Sequence, residues 1–120
     1  MRYLSVEEVL VLHDYQIERF GGAHGLLNLP LLESALSRPV TNISGKDMYD
    51  GVFKKAAVLA YSIIKNHPFV EGNKRTGLHS VLAFLELNGQ KTKIKSKSLV
   101  KLGLDIANDK AKLEEVTEVF

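Results

Sequence analysis

A proline set between two long apolar runs restricts the fold of this chain more than any other feature. Val52, Phe53, Ala56, Leu59, Ala60, Ile63 and Ile64 recur at helical spacing, and Ala57 and Val58 widen the stripe. That breadth predicts a central helix over about residues 50–66, buried on most sides. Pro68 cannot occupy a helix interior and pushes His67 out of α geometry, so this helix must end near Asn66. Leu78, Val81, Leu82 and Leu85 predict a second central helix over about 73–88, stopped by Asn88-Gly89. His67 to Glu71 is then a tight connection between two buried helices. Phe69, the large apolar group in its middle, is expected to plug into the core and fix the loop.

The flanking segments are also helical. Ser5 with Glu8 forms a capping box, and Val6, Val9, Leu10, His13, Ile17 and Phe20 give a helix over about 6–20, ended by Gly21-Gly22. The glycine-rich stretch to Gly25 reads as a loop, after which Asn28 caps a short helix carrying Leu31, Leu32, Ala35 and Leu36. That helix stops before Arg38-Pro39. Residues 38–49 hold no helical period, and Asn42 and Ser44-Gly45 are turn formers, so a loop or small hairpin is expected there. Leu99, Leu102 and Ile106 mark a fifth helix, and Leu113, Val116 and Phe120 a short sixth. The fold class is therefore all-α, a compact bundle with a small flap or hairpin near residues 38–49. With 120 residues and no internal repeat, residues 1–120 are read as a single domain.

Composition excludes several function classes. Without cysteine there is no disulfide framework or thiolate metal site. The longest apolar stretch, Ala56 to Ile64, is far short of the roughly 18–20 residues that span a bilayer, and the first residues lack a signal-peptide pattern. A cytoplasmic protein with no membrane partner is expected. A formal charge of +2 does not argue for nucleic acid. The lysines alternating through residues 90–98 read as an exposed linker or edge segment.

The chemistry concentrates at the junction. Gly72-Asn73-Lys74-Arg75-Thr76 reads as a helix start, with Asn73 as N-cap accepting from the Thr76 amide. A helix start leaves unpaired N–H groups and partial positive charge, and Gly72 offers an approaching anion no side chain to obstruct it. Lys74 and Arg75 stand where the helix dipole prefers acids, a cost of about 0.3–1 kcal/mol per charge that a bound polyphosphate would reverse. Glu71 could ligate Mg²⁺, which usually takes one or two carboxylates together with substrate phosphates. His67 suits a general base acting on a hydroxyl. Taken singly, His67 is a loop histidine, Glu71 a surface ion pair with Lys74 or Arg75, and Asn73 a cap. Their conjunction between residues 67 and 75 is what points to transfer from a nucleotide such as ATP.

His67-Pro-Phe-Val-Glu-Gly-Asn-Lys-Arg-Thr76 resembles the motif of the Fic/Doc family, whose common Fic form reads H-x-F-x-D/E-G-N-G-R-x-x-R. Lys74 where Fic enzymes have glycine, and Leu78 where AMP-transferring members carry a second arginine, look like the Doc (death-on-curing) branch. Leu12-His13-Asp14, Gly21-Gly22, Leu36-Ser37-Arg38-Pro39, Lys55-Ala56-Ala57 and Phe84 to Gly89 are similar to Doc blocks as well. The resemblance implies a Fic-type helical fold and the toxin half of a toxin–antitoxin pair, acting as a protein kinase on a hydroxyl of a translation elongation factor. Carried over by position, His67 would be the base, Phe69 the anchor and Glu71 the metal ligand. Gly72, Asn73, Lys74 and Arg75 would hold phosphates. Glu71 departs from the aspartate frequent in Doc proteins, and one methylene moves the carboxylate without removing its chemistry. The self-inhibitory pattern S/T-x-x-x-E-G/N of restrained Fic proteins is absent, so restraint is expected from a separate antitoxin chain. The segment 38–49 corresponds to the family's flap, expected to meet the target by strand addition. Two other readings use the same loop: AMP or another nucleotidyl transfer, and an idle anion- or protein-binding module.

Overall fold

The computed structural model describes residues 1–92 and 94–120. Among these described residues six helices follow in order: α1 (Val6–Phe20), α2 (Leu29–Ser37), α3 (Val52–Asn66), α4 (Asn73–Leu87), α5 (Ser96–Ala107) and α6 (Leu113–Val119). A 3₁₀ turn (Arg38–Val40) and a two-stranded hairpin, β1 (Asn42–Ile43) and β2 (Lys46–Asp47), lie between α2 and α3. The fold is all-α, as the periodicity predicts. No helix is long and apolar enough to cross a membrane among the described residues.

Local chemistry sets the helix ends. The Ser5 hydroxyl accepts from the Glu8 amide at 3.2 Å while the Glu8 carboxylate accepts from the Ser5 amide at 2.9 Å, a complete capping box. The Asn28 side chain caps α2 through the Leu31 amide at 3.0 Å. α3 begins at Val52 rather than near Asp50, because Gly51 before it has φ +87, outside helical geometry.

α3 is the axis of the molecule, and every residue from Lys55 to Ala60 is buried. Its two flanks feed two cores. Ala56, Leu59, Ala60 and Ile63 pack with Val9 of α1, Leu32 and Ala35 of α2, and Val81, Phe84 and Leu85 of α4. Ala57 and Ile64 pack with Leu78 of α4, Leu99, Leu102 and Ile106 of α5, and Val116 of α6. The wide stripe in the sequence is thus two adjacent faces serving two cores. α3 and α4 approach closely at Gly77, where an added Cβ would lie 2.9 Å from Ile64 Cγ1.

The flap is anchored to α3 by two cations. The fully buried Lys55 donates to the Pro39 carbonyl at 3.0 Å and lies 3.3 Å from the Asp47 carboxylate. Arg38 donates to the Tyr49 hydroxyl and to the Ser62 hydroxyl, both at 3.1 Å. Beyond these anchors the strands pair Asn42 with Asp47 and Ile43 with Lys46, around Ser44 and Gly45. Both connecting residues have positive φ, as a type I′ turn requires. After α4, Gln90 and Lys91 are exposed and α5 starts at Ser96, in keeping with a linker. Lys93, part of the lysine alternation, lies outside the described residues.

The contact at Gly77 is testable. Gly77→Val forces a branched side chain against Ile64 and should cost about 1–3 kcal/mol, read from urea denaturation midpoints at an unchanged m-value.

Candidate active site at the α3–α4 junction

The junction is built around Phe69, which is fully buried in the first core. Its ring stacks on His13 of α1 at 3.8 Å between centroids and 7° between planes. His13 is 2% exposed, and its Nε2 lies 2.8 Å from the Glu71 carbonyl oxygen. A carbonyl only accepts, so Nε2 carries the proton and the tautomer is fixed. One histidine therefore supports the aromatic anchor with its face and the residue bearing the acidic side chain with its edge.

Asn73 does not act as the expected cap. Its Oδ1 accepts from the Phe69 amide and its Nδ2 donates to the Phe69 carbonyl, each at 2.9 Å. Gly72, left-handed at φ +79, is the N-cap instead and supplies no side chain to the helix start. Burial explains the exchange. The backbone of Phe69 is carried inward with its ring, and both its polar groups need partners there. Asn73 supplies them from a side chain that is itself buried.

A second clamp comes from the glycine-rich loop. Leu27 and Asn28 donate to the Pro68 carbonyl at 2.8 and 3.2 Å, and Val70 donates to the Gly25 carbonyl at 3.0 Å. Residues 25–28 thus pair with 68–70 as a short antiparallel bridge between Leu26 and Phe69. Gly22, at φ +115, faces the site. A Cβ there would lie 2.9 Å from a Glu71 carboxylate oxygen and 3.5 Å from an Arg75 guanidinium nitrogen. Nothing in the composition of this loop distinguishes it from a linker, since its partners are some 40 residues away.

The clamped loop opens on a cleft of about 620 Å³ lined by His67, Glu71, Gly72, Lys74 and Arg75, together with Lys65 and Ala107. His67 is exposed and terminates α3 in left-handed geometry, φ +51 and ψ +55, its amide donating to the Ile63 carbonyl at 3.1 Å. Glycine usually holds such a position, and a side chain there costs roughly 1–2 kcal/mol. The amides of Asn73, Lys74 and Arg75 precede the first intrahelical bond of α4, from the Thr76 amide to the Gly72 carbonyl at 2.9 Å. These are the orphan donors that an anion can use.

The two cations of the helix start have separate surroundings. Arg75 donates to the carbonyls of Gln16 at 3.3 Å and Gly21 at 3.0 Å, and its guanidinium lies 5.7 Å from the Phe20 ring centroid. These carbonyls lie at and just beyond the C-terminal end of α1, where the dipole favours a cation, so part of its apparent misplacement is offset structurally. Lys74 is exposed and has no ion pair among the described residues. Its Cβ packs beside Gly103 of α5, 3.6 Å from where a Cβ would be.

The donor set fits Mg²⁺ only in the mode where phosphates complete the coordination. Glu71 is a single exposed carboxylate with no ion pair among the described residues, which likewise contain no group of three acids or histidines that could hold a metal ion by itself.

Stability measurements separate the roles of neighbouring residues. Asn73→Ala strands two buried backbone groups and should cost about 2–4 kcal/mol in chemical denaturation. Lys74→Ala should stay within about 0.5 kcal/mol of the parent.

A sequence model of the Fic/DOC family matches residues 3–85. The chain is 35% identical over 89 residues to a protein named protein kinase doc from Escherichia phage P1, covering 74% of this chain and 70% of that protein. It is 38% identical over 87 residues to a toxin Doc of Mycolicibacterium smegmatis, covering 72% of this chain and 65% of that one. The match thus stops short of roughly a third of each relative's length. The matched span contains α1, the flap, α3, the clamped junction and most of α4. The chain belongs to the Fic/DOC family.

Proposed function

We propose that this chain is the toxin of a toxin–antitoxin pair, a cytoplasmic protein kinase that moves the γ-phosphoryl group of ATP to a Ser or Thr hydroxyl of a target protein. One observation carries the reading. A single cleft gathers His67, the Glu71 carboxylate, the orphan amides of α4 and the cation Lys74. The names of the two relatives, a protein kinase and a toxin, agree with it. By the family resemblance the target is a translation elongation factor, and restraint comes from a separate antitoxin chain.

In this scheme the amides of Asn73, Lys74 and Arg75 and the Lys74 ammonium bind and orient the phosphates. Glu71 would hold Mg²⁺, which supplies charge neutralisation for the phosphates when bound. His67 takes the proton from the attacking hydroxyl as its oxygen bonds to the γ-phosphorus and the bond to the ADP oxygen breaks. The exposed strands of the flap offer the target backbone groups to pair with.

Position 78 supports phosphoryl over AMP transfer. Leu78 is buried between α4 and α5 and packs against Gly103, where an added Cβ would lie 2.9 Å from Leu78 Cδ1. The residue in the place of the second arginine of AMP-transferring members is thus part of an apolar core.

Incubation with lysate and labelled ATP tests the proposal. Label should pass to protein from γ-labelled and not from α-labelled nucleotide; the reverse pattern establishes AMP transfer. His67→Gly, which suits the left-handed backbone, should abolish labelling and growth arrest with stability unchanged or raised by up to about 2 kcal/mol. Lys74→Ala should lower labelling at least about 100-fold, the scale of one lost charge-stabilising contact.

A further inference from the structure

The lining of the cleft includes a cation that the reading above leaves without a role. Lys65, in the last turn of α3, lines the same cleft as His67, Lys74 and Arg75. Its ammonium is paired with the carboxylate of Asp109, in the turn between α5 and α6. The Lys65 side chain is 30% exposed and that of Asp109 75%.

Asp109 is the wrong residue for its place by two local rules. It lies just past the C-terminus of α5, where the helix dipole favours cations. It also has φ +60, in a position that glycine or asparagine fills at least cost. The equivalent residue after α4 is Gly89, at φ +74. The turn is nonetheless held firmly. Asp109 donates its amide to the Ile106 carbonyl at 3.2 Å, and Lys110 and Ala111 donate to the Asp105 carbonyl at 2.7 and 3.2 Å. The neighbouring acid, Asp105, is engaged by Lys101 at 2.8 Å. What remains to justify an aspartate at 109 is its pairing with Lys65.

We propose that Lys65 is a further phosphate-binding side chain of the cleft, and that Asp109 competes with the incoming phosphate for it, setting the affinity for nucleotide. The inference rests on the cleft being the nucleotide site. An ammonium can exchange one exposed carboxylate for a polyphosphate at little cost, because exposed ion pairs are weak. Asp109 therefore weakens binding without preventing it.

Titration calorimetry of the full chain with MgATP decides the matter. Asp109→Asn should tighten binding about two- to five-fold, with no loss of thermal stability, since asparagine suits the left-handed turn better. Lys65→Ala should weaken binding, and the double variant should bind as Lys65→Ala alone. If the unsubstituted chain binds MgATP and neither single variant alters the affinity, the pair is a structural tie and the inference fails while the cleft assignment stands. If Asp109→Asn tightens binding equally in the Lys65→Ala background, Asp109 acts through the general field and the competition is likewise refuted. If the unsubstituted chain binds no MgATP, the cleft assignment itself is wrong and the inference falls with it.

Discussion

The burial of Phe69 is the constraint on which the rest of the site depends. A loop of six residues between two helices is ordinarily free to flex, but here the ring in its middle is driven into the core and stacked on His13. Burying such a ring is worth roughly 1.5–3 kcal/mol, and it draws in a backbone amide and carbonyl that cannot be left unpaired. Asn73 answers both groups, and residues 25–28 satisfy the flanking positions. Once Phe69 is fixed, His67 two residues before it and Glu71 two residues after have little freedom of placement. The geometry of the exposed chemical groups is thus set by the contacts of a buried one that takes no part in the chemistry.

Much of this was legible in the sequence because helices write themselves locally. The bounds of α1, the capping box at Ser5, the Asn28 cap and the break at Pro68 all depend on residues within four positions of one another. The site groups fell within nine positions for the same reason. What the sequence did not disclose are pairings between a side chain and a distant backbone. Asn73 at a helix start is chemically suited to capping, and only the burial of Phe69 redirects it. His13 fits the apolar spacing of α1, so periodicity places it on the core face without showing that it reaches the Glu71 carbonyl. Arg75 closing the end of α1, and Lys55 rooting the flap, belong to the same class.

These pairings divide the labour among the cations around α3. Lys55 and Arg38 tie the flap to its middle, while Arg75 ties α1 to the start of α4. Lys74 has a stem packed against α5 and a head without a protein partner among the described residues. Net charge conceals this division entirely. A chain of formal charge +2 still sets an exposed ammonium, Lys74, beside the orphan amides of one helix, where local attraction for an anion is stronger than the total suggests.

The backbone gives an independent reason to place function at the same spot. The six-residue connection begins and ends on left-handed residues, His67 at φ +51 and Gly72 at φ +79. At Gly72 the requirement is met by the residue that meets it at least cost, and a Cβ there would also crowd Ile17 at 3.1 Å. At His67 it is met by a residue that costs more, and that gains nothing back in burial because the side chain is exposed. Folding alone would favour glycine at both ends of the loop. A histidine in a left-handed conformation, lining a cation-bearing cleft rather than the core, is not explained by stability, and that agrees with the role proposed for it.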